Sequence, residues 1–240
     1  MHEHGRYRTP VDDLPYRPVP EAAVRRLALY LRVLTSMIEQ GVTTMSSEEL
    51  AGAAGVNSAT LRKDLSYVGS YGTRGVGYDT ARLVEHIERL LGLTRHHSVA
   101  VVGIGNLGHA LANYAGLPDR GFPVTALFDL DEDLVGIPVG GLPVDDVGSI
   151  SAVCIERQVT IGVICTPMAA AQWVCDLLVA GGVRCILNFA PVVLQVPEDV
   201  EVRRVDFAVE LQILSFHQAR RCSGNGVAAA GPVDPIVVGR

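Results

Sequence analysis

In the first third of the chain, apolar residues recur every three or four positions, the period of an amphipathic helix. A first helix is predicted from Pro20, a favourable helix start, to a stop at Gly41. Its apolar stripe comprises Val24, Leu27, Leu31, Leu34 and Ile38. Ser46 and Glu49 have the spacing of a capping box, which predicts the start of a short second helix. Residues 1–19 contain several prolines and no periodicity, and we expect a flexible arm there.

A third helix is predicted to begin at Asn57 or Ser58 and to run to about Val68. Small and basic residues share its outward face: Ala59, Arg62, Lys63 and Ser66. Two short helices joined by a glycine turn, the second with such a face, are typical of a helix-turn-helix. A three-helix bundle with a solvated charged face explains the same residues and remains an open alternative.

The segment after the third helix strengthens the case for DNA binding. Residues 69–78 contain four glycines, two tyrosines and one arginine, Arg74, which predicts a β-hairpin wing with Arg74 at its tip. On the third helix, Arg62 and Lys63 can reach guanine edges or phosphates. Hydroxyl groups that can donate to phosphates are those of Ser58, Thr60 and Ser66.

The second part of the chain has a different pattern, in which short valine-rich runs predict buried parallel strands. The run Val99–Val102 leads directly into a Gly-x-Gly-x-x-Gly turn and a helix predicted over 109–115. The turn consists of Gly103, Ile104, Gly105, Asn106, Leu107 and Gly108. A second run ends in Asp129, 21 residues beyond Gly108, where an acidic residue would hold an adenosine ribose. A packing turn alone would explain the glycines, but the strand, the helix and Asp129 together favour a dinucleotide site.

Further apolar runs predict strands over 159–165, 185–189 and 200–205. The helix after the first of these has a predicted core face of Trp173, Val174, Leu177 and Leu178. A last helix, from Phe207 to about Arg220, is apolar over too much of its surface for one packing face and therefore needs a partner.

Composition and charge set limits on this picture. A chain of 240 residues with 48% hydrophobic and 19% charged residues is globular, and no apolar run reaches membrane-spanning length. The start lacks a signal peptide, so we expect a cytoplasmic protein without membrane contact. Five widely spaced cysteines predict neither a metal site nor a disulfide framework, and we expect Cys154, Cys165 and Cys185 to be buried. The net charge of −6 arises wholly in residues 81–240, so it does not exclude nucleic acid as a partner of residues 1–80.

A family resemblance is carried first by residues 57–78, Asn-Ser-Ala-Thr-Leu-Arg-Lys-Asp-Leu-Ser-Tyr-Val-Gly-Ser-Tyr-Gly-Thr-Arg-Gly-Val-Gly-Tyr. This sequence resembles the DNA-reading segment of the Rex family of bacterial redox-sensing repressors. The resemblance continues through the glycine turn, Phe128–Asp129 and Ile186–Pro191, and it covers roughly residues 20–217. It implies an α/β protein with an N-terminal winged helix-turn-helix domain, a Rossmann-like NAD(H)-binding domain and a C-terminal helix exchanged between the subunits of a homodimer.

The resemblance also implies a function and a layout. The protein would be a repressor and not an enzyme, bound to palindromic double-stranded operator DNA when the NADH/NAD+ ratio is low and released by NADH. The expected parts are a winged-helix domain over 20–80 (helix-turn-helix about 30–69, wing 70–78), a linker helix over 81–94, a Rossmann domain over 95–206, a dimerisation helix over 207–221 and a disordered tail over 222–240.

The residues expected to act follow from these motifs and from the resemblance. The DNA-binding set is Ser58, Thr60, Arg62, Lys63, Ser66, Tyr67, Thr73, Arg74 and Gly75. The NADH/NAD+ set adds Tyr114, Thr166, Pro167, Asn188, Phe189, Ala190 and Pro191 to the glycine turn and Asp129. By resemblance, Tyr114 reports on the nicotinamide, and an Arg32–Asp206 pair links the domains while Tyr114 competes for Asp206. An Arg32 that simply lies along the domain surface is the alternative.

Two other functions would use the same nucleotide site. An NAD-dependent dehydrogenase with an N-terminal extension needs an acid or base beside the nicotinamide. The only lysine is Lys63, on the predicted recognition helix, and the histidines after residue 97 are His109, at the phosphate turn, and His217, near the chain end. A nucleotide pocket without a proton donor favours NADH as a signal and disfavours the dehydrogenase. A regulator that binds coenzyme A or another nucleotide also remains open, because Asp129 indicates an adenosine ribose and not a nicotinamide. The acids at Asp131–Asp133 disfavour a 2′-phosphate, so NAD(H) is preferred to NADP(H).

Overall fold

The computed structural model describes residues 18–69, 72 and 76–224, and the chain divides into two compact units, residues 1–96 and 97–240. The described part of unit 1 consists of four helices and a two-stranded antiparallel sheet. The helices are α1 (Glu21–Glu39), α2 (Ser47–Ala53), α3 (Ser58–Val68) and α4 (Thr80–Leu90), and the strands are β1 (Thr44–Met45) and β2 (Tyr78–Asp79).

The core of unit 1 forms around α1, which packs against α2, α3 and α4. Its buried side chains are Ala23, Leu27, Tyr30 and Leu34. The predicted core positions Val24 and Ile38 are wrong, since both are more than one-third exposed. The buried face passes through Tyr30 because the hydroxyl of this tyrosine has a buried hydrogen-bond partner, Asp64.

Helix α4 belongs to this core and is not a free-standing connector. Leu83 and Ile87 are buried in the same cluster as Leu27 and Leu34 of α1. The Thr80 hydroxyl donates to the carbonyl oxygen of Val42 at 2.8 Å, which fixes the start of the helix. The helix predicted as a linker is therefore a packed element of unit 1.

The small sheet closes the helical part of unit 1. Thr44 lies opposite Asp79 and Met45 opposite Tyr78. Gly77, with φ +102°, is required there, because a Cβ at this residue would lie 2.5 Å from the carbonyl oxygen of Met45. Residues 70–71 and 73–75 of the predicted wing, and residues 1–17 of the predicted arm, lie outside the described residues.

Unit 2 is a seven-stranded sheet with helices on both faces. The strands are β3 (Val99–Val102), β4 (Val124–Asp129), β5 (Pro138–Val139), β6 (Leu142–Asp146), β7 (Ile161–Ile164), β8 (Cys185–Asn188) and β9 (Glu201–Arg204). The order is β5-β6-β4-β3-β7-β8-β9, parallel except for the edge strand β5. The chain builds outward from β3 on one side and then returns to β7 on the other. The topological switch point, where open sheets of this class bind ligands, therefore lies between β3 and β7.

The helices of unit 2 are α5 (Asn106–Ala112), α6 (Ile150–Glu156), α7 (Met168–Ala180) and α8 (Phe207–Gly224). Apolar clusters on the two sheet faces pack α5 on one side and α6 with α7 on the other. Helix α5 begins three residues before the predicted start, so the last part of the glycine motif is helical.

Two core predictions for unit 2 are wrong. Trp173 is 46% exposed, because the buried face of α7 passes through Val174 and Cys175 on the next positions of the helix. Cys185 is exposed at the first position of β8, whereas Cys154 is buried. Burial raises the pKa of the Cys154 thiol to about 11, which keeps this thiol protonated.

Helix α8 differs from the other helices in how little of it is covered. Phe207, Leu211, Leu214 and Phe216 are all more than half exposed in the single chain. The helix extends to Gly224, three residues into the predicted tail, and residues 225–240 lie outside the described part. Among the helices described, none has the length and apolar character needed to cross a membrane.

Candidate functional site

The outward face of α3 presents the predicted basic residues. Asn57 caps this helix, its side-chain oxygen accepting from the Thr60 N–H at 2.7 Å. Arg62, Lys63 and Ser66 are exposed, while Leu61 and Leu65 are buried. The helix therefore carries two cations on a solvent-facing side and is held by an apolar side.

Arg62 already has polar contacts on this surface. Its guanidinium lies 3.3 Å from a carboxylate oxygen of Glu48 on α2 and 3.4 Å from the hydroxyls of Ser47 and Ser58. These contacts are long and exposed, so they hold the side chain only weakly. The guanidinium remains available to a stronger acceptor such as a phosphate or a guanine edge.

A buried ionic cluster lies behind the outward face. Asp64, which is 1% exposed, accepts hydrogen bonds from Nε of Arg26 at 2.6 Å, from Nη2 of Arg26 at 2.8 Å and from Oη of Tyr30 at 2.9 Å. Burial opposes ionisation of Asp64, but the bonds from Arg26 and Tyr30 dominate and hold its pKa below the usual range. The same contacts keep Arg26 protonated, its pKa being raised chiefly by the bond to Asp64.

The remaining predicted DNA-binding residues are only partly described. Ser58, Thr60 and Tyr67 are half-buried on α3. Thr73, Arg74 and Gly75 lie outside the described residues, so their role stays a prediction.

In unit 2, the glycine turn lies at the switch point of the sheet. Gly103 has φ +94°, and a Cβ there would lie 2.9 Å from the carbonyl carbon of Cys165 and 3.0 Å from Cγ2 of Thr166. A Cβ on Gly108 would lie 1.9 Å from the carbonyl oxygen of Gly103. A Cβ on Gly105 would meet nothing within 4 Å. Two glycines thus allow close packing, and the third faces open space at the start of α5.

Asp129 joins the second strand to this turn. One of its carboxylate oxygens accepts from the Ile104 N–H at 2.5 Å, and the other accepts from the Asp131 N–H at 3.0 Å. The acid is half-buried, and Asp131 to Asp133 are exposed beyond it. The predicted pairing of a glycine turn with an acid at the end of the next strand is therefore present in the geometry.

Thr166 supplies a feature that the sequence did not reveal. Its Oγ1 is buried and has no hydrogen-bond partner among the described residues. A buried hydroxyl without a partner is uncommon, and a ligand is one way to satisfy it. Thr166 lies against Gly103, so a nucleotide bound at the turn would satisfy this hydroxyl. The open space at Gly105 gives such a ligand room.

The loop after β8 is organised mainly by its own contacts. Asn188 is fully buried; its side chain donates to the carbonyl oxygen of Val192 and accepts from the Ala190 N–H. Asn188 therefore shapes the loop, Ala190 is buried, and Pro191 is exposed. The ring of Phe189 stacks on Phe207 with centroids 6.1 Å apart, which connects this loop to the start of α8.

The three predicted switch residues lie in different places. Asp206 caps α8, accepting from the N–H groups of Ala208 and Val209. Tyr114 lies two residues beyond the end of α5, not within it, and is 50% exposed with its ring against Gly116. Arg32 is exposed on α1 of unit 1, so the relay between the units stays a prediction.

Comparison with known proteins finds relatives of both parts of the chain, the one with the basic face of α3 and the one with the glycine turn. A family model described as "Putative DNA-binding protein N-terminus" matches residues 18–66, and one described as "CoA binding domain" matches residues 94–192. The chain is 59% identical over 220 residues to the redox-sensing transcriptional repressor Rex of Streptomyces coelicolor, covering 92% of this chain and 85% of the relative. It is 47% identical over 201 residues to the repressor of that name from Syntrophomonas wolfei, covering 84% and 96%.

The chain belongs to the Rex family. Its named relatives are redox-sensing transcriptional repressors, which confirms the predicted function class and argues against the dehydrogenase alternative. A crystal structure of RSP in complex with β-NAD+ and operator DNA has a TM-score of 0.80 to this chain at 31% identity, covering 88% of this chain and all of that one. The complex of RSP, a Rex-family repressor, with β-NADH has a TM-score of 0.77 at 31% identity, covering 86% and 97%. The predicted fold class is confirmed, and exchange of the last helix between subunits stays a prediction.

Proposed function

We propose that this Rex-family protein binds operator DNA through the outward face of α3 and the segment after it, and that NADH bound in unit 2 releases it. The observation that carries the proposal is the combination in one chain of the basic face of α3 with the glycine turn tied to Asp129. One surface suits phosphates and guanine edges, and the other suits the pyrophosphate and ribose of a dinucleotide.

The ligand follows from the charge at the ribose end. Asp129 would accept hydrogen bonds from ribose hydroxyls, whereas a 2′-phosphate of NADP(H) or a 3′-phosphate of coenzyme A would meet its carboxylate and the acids at Asp131–Asp133. We therefore infer that NAD(H) is the ligand and coenzyme A is not, although the family model that matches residues 94–192 is described as "CoA binding domain". Gly103 to Gly108 would hold the pyrophosphate, and Thr166, Pro167 and the loop Asn188–Pro191 would surround the nicotinamide.

A second copy of the chain is the partner that α8 requires. Its exposed apolar residues, such as Leu211 at 65% exposure, favour burial against another subunit. A symmetric dimer would present two α3 helices to DNA, and this favours a palindromic operator. Because a repressor of this kind acts on chromosomal DNA, we propose that it works in the cytoplasm.

The proposed switch runs through Tyr114, Arg32 and Asp206. NADH and NAD+ differ only at the nicotinamide, so the contact that discriminates between them lies there and not at Asp129. An ion pair between Arg32 and Asp206 would connect the DNA-binding unit to α8, and Tyr114 would compete for Asp206 when NADH is bound.

The experiment that tests this function measures operator affinity while NADH is titrated at fixed NAD+. We expect tight operator binding without NADH and progressive release as NADH rises. Absence of operator binding would contradict the DNA-binding assignment, and binding that ignores NADH would contradict the sensor. Oxidation of bound NADH by a carbonyl compound, followed by NADH fluorescence, would instead favour the dehydrogenase alternative.

A further inference from the structure

Helix α3 carries a single acidic residue, Asp64, and this residue faces away from the DNA-binding side. Asp64 is 1% exposed and lies on the same side of the helix as the buried Leu61 and Leu65. Burial of a carboxylate without a partner costs a large free energy. Asp64 avoids this cost because two side chains of α1 donate hydrogen bonds to it.

The contacts of Asp64 are directional and come from one neighbouring helix. Arg26 approaches with two nitrogens, one on each carboxylate oxygen, at 2.6 and 2.8 Å. Tyr30, one turn later on α1 and fully buried, donates its hydroxyl at 2.9 Å. Planar two-point pairing fixes the angle of a carboxylate as well as its distance, which apolar packing does not do.

The position of Asp64 on the helix gives this restraint a functional consequence. Arg62 and Ser66 each lie two residues from Asp64, which turns them about 160° away around the helix axis. A restraint on Asp64 therefore fixes the direction in which the opposite face points. A rotation of about 20° would displace a side-chain tip at the helix surface by about 2 Å, well beyond the tolerance of a base-edge hydrogen bond.

We propose that Arg26, Tyr30 and Asp64 are positioning residues for operator recognition, which set the rotation of α3 so that Arg62 meets its base. This inference rests on the proposed DNA-binding function and names the residues that control its specificity. None of the three residues need touch the base, because they act through the orientation of the helix.

The test compares two neighbouring arginines of α1, each replaced by methionine so that both variants lose one positive charge. Arg26→Met breaks the two-point pair with Asp64, whereas the control Arg25→Met removes an exposed pair with Glu21 on the same helix. Tyr30→Phe removes one bond and keeps the ion pair. Because Arg26→Met leaves a buried carboxylate uncompensated and can unfold the unit, the double variant Arg26→Met, Asp64→Leu replaces the whole pair with apolar groups and keeps the net charge of −6.

Affinity is measured for an operator and for a scrambled duplex of equal length, at a temperature where circular dichroism shows each variant folded. We expect the double variant to lose operator affinity by about 5- to 150-fold, the range for one two-point base contact. Scrambled DNA should be bound within about twofold of the wild type, because phosphate contacts tolerate rotation. Tyr30→Phe should show a smaller loss in the same direction, and Arg25→Met should keep the ratio of operator to scrambled affinity.

A second readout separates positioning from stability. Arg62→Ala should lose operator affinity in the wild-type background and much less in the double-variant background, since Arg62 is already misdirected there. A lower melting temperature with unchanged discrimination and an unchanged Arg62→Ala effect would overturn the inference. If the wild type fails to distinguish an operator from scrambled DNA, or Arg62→Ala has no effect in it, the proposed function itself has failed instead.

Discussion

The proposed DNA-binding face of α3 and the proposed nucleotide-binding turn of unit 2 are built in opposite ways. On α3, long charged side chains project into solvent from a helix held by buried groups behind it, Asp64 above all. At the turn, Gly103 and Gly108 bring backbone segments so close that no side chain fits. Asp129, near the turn, bonds to the backbone N–H of Ile104.

The difference indicates what each surface recognises and how it fails. Exposed cations attract any polyphosphate, and their strength depends on salt, so specificity must come from the direction in which they point. A turn made of backbone groups binds only a ligand of matching shape. Its affinity for that ligand depends on an open space that a single methyl group can fill. The following predictions test this contrast from the largest expected effect to the smallest.

Loss of three cations, two on the outward face of α3 and Arg74 in the segment after it, should have the largest effect and should be confined to DNA binding. The triple variant Arg62→Ala, Lys63→Ala, Arg74→Ala should lose about 4 kcal/mol of operator binding free energy, roughly a thousandfold. The triple variant should also flatten the salt dependence of binding, as Lys63→Ala alone should do in part, without sequence preference. Fluorescence anisotropy on labelled operator checks this, with NADH affinity as the control. Unchanged operator affinity would refute the assignment of this face.

A pair of glycine substitutions tests the nucleotide turn. Gly108→Ala places a methyl group against the carbonyl oxygen of Gly103, and we expect about 3 kcal/mol of destabilisation of unit 2 with loss of NADH binding. Gly105→Ala has room in the protein, so unit 2 should keep its stability and still lose NADH affinity, since the methyl group enters the ligand's space. Calorimetry and urea unfolding measure both quantities. Normal NADH binding by Gly105→Ala would show that the open space is not the ligand's.

The sequence predicted these two surfaces to different depths. The capping box at Ser46, the Asn57 cap, the glycine turn and the position of Asp129 were predicted correctly, because each depends on residues close in sequence or on a fixed spacing. The inward direction of Asp64 was missed, although its place three residues after the buried Leu61 was a usable signal.

The partners of a buried group cannot be found from local pattern. Arg26 and Asp64 are 38 residues apart, and nothing in their neighbourhoods pairs them before the helices pack. Tertiary packing likewise decided which face of α7 is buried, so Trp173 is exposed despite its size. Asn188 is expected at the nicotinamide from its place at the carboxyl end of a strand and from the resemblance, and the sequence did not show that both of its polar atoms also bond within its own loop.

Asp129 is a charged side chain that is bonded to the backbone of the glycine turn, and a substitution there tests its role in NADH binding. Asp129→Ala should weaken NADH binding by about 2 kcal/mol, the scale of hydrogen bonds to a charged group, while operator binding stays intact. The variant would be a repressor that no longer responds to NADH. In the wild type, calorimetry should give much tighter binding of NADH than of NADPH, and Asp129→Ala should narrow that ratio. Equal wild-type affinities for the two nucleotides would contradict the role of the acids.

Tyr114 tests whether the two surfaces are coupled as proposed. Tyr114→Phe should bind both nucleotides and DNA but lose about 1.5 kcal/mol of the coupling between them, within the usual 1–3 kcal/mol for allosteric systems. The measurement is operator affinity with and without saturating NADH. A variant that keeps the wild-type ratio would exclude the tyrosine from the relay.

Thr166 offers the smallest effect and the most direct view of the nucleotide turn, because its two consequences have opposite signs. In the free protein, Oγ1 is buried without a partner among the described residues, so Thr166→Val should remove a desolvated group and stabilise unit 2 by about 1 kcal/mol. With NADH present, the same variant should bind about fivefold more weakly, since it lacks the hydroxyl that a ligand would satisfy. Urea unfolding without ligand and calorimetry with NADH measure the two effects. A destabilised variant would mean that the hydroxyl has a partner in the free protein, and unchanged NADH affinity would mean that the ligand does not reach it.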